Sequence, residues 1–171
     1  IANNDIGSGE EDGGAITINV LADDTRTDLE SLTNPAIASI GNATNGNVVI
    51  LAQTDTLTLS GLNDGDNFAL TLDGKTHNLS LAGSDVASMR TNLVKTINNV
   101  SELSSIVTAQ EVIGGNNQLS LTAVKLGTAF VTAVSGGSSS VTTTTANGSV
   151  VYTPNNNFFG QDTFTYTVSN N

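Results

Sequence analysis

The side chains in this sequence that could do chemistry are nearly all carboxylates. They crowd toward one end: Asp5, Glu10, Glu11, Asp12, Asp23, Asp24, Asp28 and Glu30 are eight of the sixteen acidic residues. They fall into three groups, Asn4 with Asp5, Glu11 with Asp12, and Asp23 and Asp24 with Asp28. A calcium ion takes six to eight hard oxygen ligands, several of them carboxylates. No one group supplies enough, but loops meeting at one pole of a fold would pool all three. Such pooling is unfavourable without a cation, because like charges resist crowding. The plainer reading is three solvated loop segments, the usual fate of acidic runs. The pattern is not an EF-hand: the twelve-residue loop with Gly at six and Glu at twelve is missing.

Other chemistry has little to draw on. The chain has no cysteine and one histidine, so thiolate metal sites and disulfides are excluded. His77 is read as a surface histidine, on the alternating face of Lys75 and away from Leu79 and Leu81. The many serines lack any other base to activate them. No hydrolase elbow, zinc-protease helix, P-loop or dinucleotide fingerprint occurs. Asp64 and Asp66 sit in the turn sequence "NDGDN". No catalytic or cofactor-binding residue is assigned, and the chain is read as a non-enzyme.

Charge narrows the partners. With 5 Lys and Arg against 16 Asp and Glu, the net charge is -11. No basic patch can form, which excludes nucleic acid as a partner. An acidic surface also repels anionic membranes, and no stretch is long and apolar enough for a transmembrane helix. Hydrophobic residues make up 37% of 171, enough for a real core. The surface is mostly Thr, Ser, Asn and Gly, a mix that favours strands and turns. The start at "IANND" and the end at "SNN", without an initiator Met, suggest a segment of a longer protein.

The elements that must position the acidic groups are strands. "AITINVLA" alternates Ile16, Ile18 and Val20; "PAIASIG" and "NVVILA" follow. From Gln53 the character changes. "DTLTLSGL" and two runs joined by Asp73-Gly74 read as strands, the latter as a hairpin. A helix is expected over about Asp85–Val100, capped by Ser84 or Asp85, with Val86, Met89, Leu93, Ile97 and Val100 on one stripe. "SSIVTAQEVI", "QLSLTAV" and "AFVTAVSG" read as three more strands. "SGGSSSVTTTTANG" reads as a flexible low-complexity link. "GSVVYTP" and "DTFTYTVS" close the chain as strands. Phe158 and Phe159 are expected to plug a sandwich core, and Asp162 to cap a turn.

"NGNVVILA" and "NGSVVYTP" resemble one another a hundred residues apart, but their flanks do not match, as a true repeat would require. They read better as two antiparallel strands of one hairpin, 47–51 against 148–153, with residues 53–143 held at its tip. The order β-β-β-α-β-β-β makes that middle stretch a small α+β unit. Hairpin tips are exposed, and insertions are tolerated there.

Spliced together, "ANND", "EED", "ITINVLADDT", "ATNGNVVI" and "GSVVYTPNNNFFGQDTFTYTVS" resemble the cadherin-like, immunoglobulin-like tandem repeats of giant RTX-type bacterial surface adhesins. The insert is more loosely similar to α+β modules of flagellin variable regions. The resemblance implies a mainly β, Ig-like sandwich of roughly seven strands, formed by 1–52 plus 144–171. It implies a monomeric, extracellular extender module, exported by type I secretion and flanked by tandem domains of the same chain. Calcium at the junctions stiffens such strings. That ion would be held here by Asn4, Asp5, Glu11, Asp12, Asp23, Asp24 and Asp28. Arg26 stands where the family has an acid and Leu29 where it has Gly, which weakens one calcium position. The alternative is a ligand-binding module whose insert recognises a glycan or protein. Against it, the insert has no Trp or Tyr on which a sugar would stack.

Overall fold

The computed structural model describes residues 3–10, 13–24, 35–115 and 117–170. These divide into two compact units. One comprises the described residues of Ile1–Gln53, Leu126–Ala129 and Thr145–Asn171, the other those of Thr54–Lys125 and Phe130–Thr144.

The first unit is an Ig-like β-sandwich. One sheet has the order β1 (Ile16–Asn19), β11 (Ser149–Pro154), β3 (Gly46–Ile50); the second pairs β12 (Tyr166–Asn170) with β2 (Pro35–Ile40). All pairings are antiparallel. Alternation explains the inner faces: Ile18, Val48, Ile50 and Val150 come from one sheet, and Ile37, Ile40, Tyr166 and Val168 from the other, packed with Val20 and Leu21. Val150 lies opposite Ile50 and Tyr152 opposite Val48, so the two similar phrases of the sequence are hydrogen-bonded neighbours. Leu51 N–H donates to the Ser149 carbonyl at 2.9 Å just beyond the ladder. Leu126–Ala129 joins this unit through Ile37 N–H, which donates to the Gly127 carbonyl at 3.0 Å.

Two glycines make the β3–β11 pairing possible for different reasons. Gly148 has φ +82° and its added Cβ would strike the Leu21 side chain. Gly46 has no unusual φ, but the Tyr152 ring lies against its Cα, leaving no room for a Cβ.

The second unit packs a helix and two sheets around a core of its own. Sheet order β10 (Ser140–Thr145), β4 (Thr54–Thr58), β8 (Gln118–Ala123), β7 (Val107–Glu111) carries Leu57, Leu119, Leu121, Val107 and Ala109 inward. The other sheet, β6 (Lys75–Ser80), β5 (Asn67–Leu72), β9 (Thr132–Ser135), contributes Phe68, Leu70, Leu72 and Leu79. Helix α1 (Val86–Asn99) buries Met89, Leu93 and Ile97, the expected stripe. Asp85 caps it in a capping box with Ser88, whose backbone N–H donates to Asp85 Oδ1 at 2.7 Å. A short α2 (Ser101–Ser104) follows, which no periodicity announced.

Three expectations fail here. Ser140–Thr145 is an edge strand rather than a flexible link: alternation is invisible in a run of Thr, yet Thr is a good strand former. His77 does not lie away from Leu79. Residues two apart in a strand share a face, and His77 sits opposite Leu70, 12% exposed, with Nδ1 3.7 Å from Glu102. Phe159 plugs nothing, being 76% exposed, while Phe158 is partly buried.

Candidate functional site

The chain segment that precedes β1 and the loop that follows it meet at the start of β12. There the Tyr166 hydroxyl lies 2.9 Å from Asp5 Oδ2 and from the Asn3 carbonyl oxygen, and 3.4 Å from both Asp24 carboxylate oxygens. Asn3 backbone N–H donates to Asp24 Oδ1 at 2.8 Å, and its side-chain amide donates to the Asp23 carbonyl. Asp24 is buried at 7% exposure, whereas Asp23 is exposed. The loop is shaped by Asn19, whose side-chain oxygen accepts from Leu21 N–H at 3.2 Å, and by Val20 N–H donating to the Gly148 carbonyl at 2.9 Å.

The electrostatics follow from this crowding. Burial pushes the Asp5 carboxyl above its ordinary value; the Tyr166 hydrogen bond partly opposes that, and the charges of Asp23 and Asp24 add to it. Tyr166 is held far above a usual tyrosine, first by burial, then by its bond to Asp5 and the Asp24 charge.

Of the seven residues proposed from the sequence, Asp5, Asp23 and Asp24 are brought together. Asn4 is exposed beside them. Glu11, Asp12 and Asp28 lie outside the described residues, as do Arg26 and Leu29. Among the described residues no group of three or more acidic, His or Cys side chains is arranged to hold a metal. The donors fit calcium in kind, being carboxylate, amide and carbonyl oxygens without sulfur or imidazole. Tyr166 and Asn3 were not anticipated. The signal for Tyr166 was available: a tyrosine on an inward strand position needs a partner for its hydroxyl.

A second polar cluster, around Asp162, is structural. Its carboxylate accepts from the backbone N–H of Thr44 (3.2 Å), Asn45 (2.7 Å) and Thr163 (2.9 Å), and from the Tyr152 hydroxyl (3.0 Å). Burial acts to raise the Asp162 pKa, but the backbone donors and Tyr152 outweigh it and the net shift is downward. The expected turn role is therefore right, and the turn that Asp162 holds is the distant 44–45 one.

The profile of the bacterial Ig domain family matches residues 84–171. The chain belongs to the bacterial Ig domain family. The match supports an Ig-like domain of a bacterial surface protein; its span takes in β11 and β12 of the first unit and α1 to β10 of the second, while β1, β2 and β3 lie outside it. No curated protein matches the Ig-domain chain. Among solved structures, the D2–D3 domains of the flagellar cap protein FliD from Serratia marcescens are similar over 80% of this chain and 93% of that one. The identity is 14% and the TM-score 0.37, too low to bear on fold or role.

Proposed function

We propose that this Ig-like domain is a spacer module of a secreted RTX-type bacterial adhesin, in which calcium at the acidic pole stiffens the junction with a neighbouring module. It works without catalysis, by holding distance between an anchor and a binding tip in adhesion and biofilm formation. The adhesin leaves the cell by type I secretion. The observation that carries the reading is the crowding of Asp5, Asp23 and Asp24, with Asp5 driven toward its neutral form by burial and by the other two charges. A cation relieves that cost. Asp5, Asp23 and Asp24 supply carboxylates, and Glu11, Asp12, Asp28 and Asn4 complete the set.

The α+β unit is read as a domain inserted at the β3–β11 hairpin tip. What supports this is that residues 54–125 and 130–144 cluster by themselves while the chain on either side pairs strand to strand. An insertion there leaves the sandwich ladder intact and widens the rod.

Melting with calcium and with chelator tests the ion. A ligand at a hundred times its dissociation constant stabilises by about 2.7 kcal/mol. Sites of extracellular modules bind at about 0.1–1 mM, so 10 mM calcium should raise the melting temperature by several degrees. An unchanged melting curve, in a chain shown to be folded, sinks the calcium role.

A further inference from the structure

Among its described residues, the helix-bearing unit guards every sheet edge but one. An unpaired strand edge invites another chain, and proteins blunt such edges with cover, charge or shortness. At β7 the cover comes from α1: Asn98 Nδ2 donates to the Ala109 carbonyl at 2.9 Å, and Asn98 Oδ1 accepts from Ala109 N–H at 2.9 Å. At β6 it is charge, since Lys75 stands on that edge strand and pairs with Glu102 at 2.6 Å. The edge strand β9 is only 4 residues long.

The unguarded edge is β10. It ends its sheet, with β4 on one side and no described strand on the other. Ser138 N–H donates to the Ser60 carbonyl at 2.8 Å and the Thr144 hydroxyl to the Thr54 carbonyl at 3.0 Å, which fixes β10 against β4 at both ends. Ser140, Thr142, Thr143 and Thr144 are exposed. The strand, "SVTTTT", holds no Lys, Pro or Gly to discourage pairing. It lies within a stretch, 126–161, that has no charged residue at all, in a chain of net charge -11. The neighbouring β4 has one acid, Asp55, and that is buried at 2% exposure.

We infer that two copies of this chain pair edge to edge through β10, antiparallel about a two-fold axis. Two bodies of this charge repel one another, and an uncharged strand is where their backbones can meet. Antiparallel edges are self-complementary in backbone hydrogen bonding, so a second β10 fits the first. The side chains agree. Thr opposite Thr is a favourable cross-strand pair, and Thr54 and Thr122 already make one between β4 and β8, with hydroxyl oxygens 3.3 Å apart. The contact is isologous and it closes. Both β10 edges are used up, and the opposite edges of the joined sheet, the two β7 strands, are covered by Asn98. A strand of 6 residues on each side buries less than the roughly 1,200 Å² of a stable interface, so free chains are monomers when dilute. Holding many copies on one surface raises their effective concentration and favours the pair. Neither calcium nor the acidic pole takes part in it.

Sedimentation velocity of the folded chain over a wide concentration range, with and without chelator, tests this. The expected result is a reversible monomer–dimer equilibrium, indifferent to chelator, that strengthens as salt rises. Salt screens the repulsion between the acidic bodies and leaves the strand pairing intact. A two-fold axis in mid-strand sets Thr142 or Thr143 opposite its own counterpart. Thr142→Glu and Thr143→Glu together in one chain bring like charges face to face and should weaken dimerisation by roughly tenfold or more. A melting curve checks that this variant is folded; if it is not, the cysteine variants decide. Because the chain has no cysteine, a single introduced thiol reports only its own surroundings. Directly opposed residues have Cβ atoms about 4.5–5.5 Å apart, close to disulfide reach. Either Thr142→Cys or Thr143→Cys should therefore form a disulfide dimer well ahead of Thr108→Cys, which is exposed on β7. Chains that stay monomeric at every concentration overturn the proposal. So does dimerisation that survives both Glu substitutions in a folded chain, which would place the contact elsewhere. Cross-linking no faster than at Thr108 overturns it too, since β10 would then be receiving a strand other than itself.

Discussion

Asp5 and Asp24 share a single hydroxyl. Tyr166 has one proton to donate, yet oxygens of both carboxylates lie within 3.4 Å of it. At any moment one of them faces the lone pairs of the tyrosine oxygen instead. The cost is lowered by a proton on Asp5 or by a cation, and the two remedies compete.

The first prediction is therefore a carboxyl titration followed by NMR. Asp5 should titrate above the ordinary aspartate range, and higher still in Tyr166→Phe, because the tyrosine bond is what pulls it down. A folded-state pKa above the unfolded one means that ionised Asp5 opposes folding. That opposition is absent below the unfolded pKa of about 3.9 and complete above the folded value. Asp5→Asn should accordingly raise the melting temperature in chelator at neutral pH while abolishing a calcium effect. An ordinary titration for Asp5 would show that the pole is open to water.

Asp162 behaves in the opposite sense. Burial works against its charge, but backbone donors from Asn45, Thr163 and Thr44, with the Tyr152 hydroxyl, hold its pKa down. A lowered folded-state pKa contributes stability above the unfolded value, and that stability is lost as pH falls through the folded one. Asp162→Asn should lower the melting temperature at pH 7 and make the protein less sensitive to acid. Tyr152→Phe removes one of the four bonds to Asp162 and should cost about 1 kcal/mol in denaturant unfolding. Equal acid sensitivity in Asp162→Asn and the parent would refute the latch.

How far the sequence shows this depends on what each position has to satisfy. The strands carrying Ile18, Val48, Val150 and Val168 are legible because period-2 burial writes itself into residue type. The stripe Met89, Leu93, Ile97 is legible for the same reason at helical spacing. The Thr-rich β10 is not, because both faces of an edge strand can be polar. At the acidic pole the carboxylates are visible, but their hub shows only as an inward tyrosine whose hydroxyl needs some partner. Tyr166 alternates with Phe164 and Val168 as if it were apolar, and only the fold shows that its oxygen meets Asp5. The reach of Asp162 to Asn45, 117 residues away, has no local signature at all.

The paired Asn-Gly phrases give a third prediction, in which similar sequence hides different causes. Gly148→Ala forces a side chain into a left-handed backbone and against Leu21, and should cost about 1–3 kcal/mol. Gly46→Ala meets the Tyr152 ring and the Thr153 carbonyl, and should cost a similar 1–3 kcal/mol by displacing the ring. The two separate in what they disturb. Only Gly46→Ala should move the Tyr152 hydroxyl off Asp162, seen as a change in the Asp162 titration. The same change in both variants would show that strain, not contact, governs position 46.

The last prediction concerns the two compact units. If residues 54–144 are an insertion, replacing them by a short turn between Gln53 and Thr145 should leave a folded sandwich. The ladder from Val150↔Ile50 to Pro154↔Gly46 lies wholly outside the removed stretch. The shortened chain loses Leu126–Ala129, with the Gly127 carbonyl that accepts from Ile37 N–H and the Thr128 bridge to Ala36, a deficit of about 1–3 kcal/mol for the donor left unpaired. In the intact chain, Leu93→Ala removes a buried side chain of α1 at 2% exposure and should cost about 2–5 kcal/mol. That loss should appear in a transition belonging to the helix-containing unit, read by far-UV circular dichroism. The near-UV signal of Tyr152 and Tyr166, both in the sandwich, should melt where it does in the parent. A single transition in which helix and tyrosine signals shift together would show that the two units fold as one.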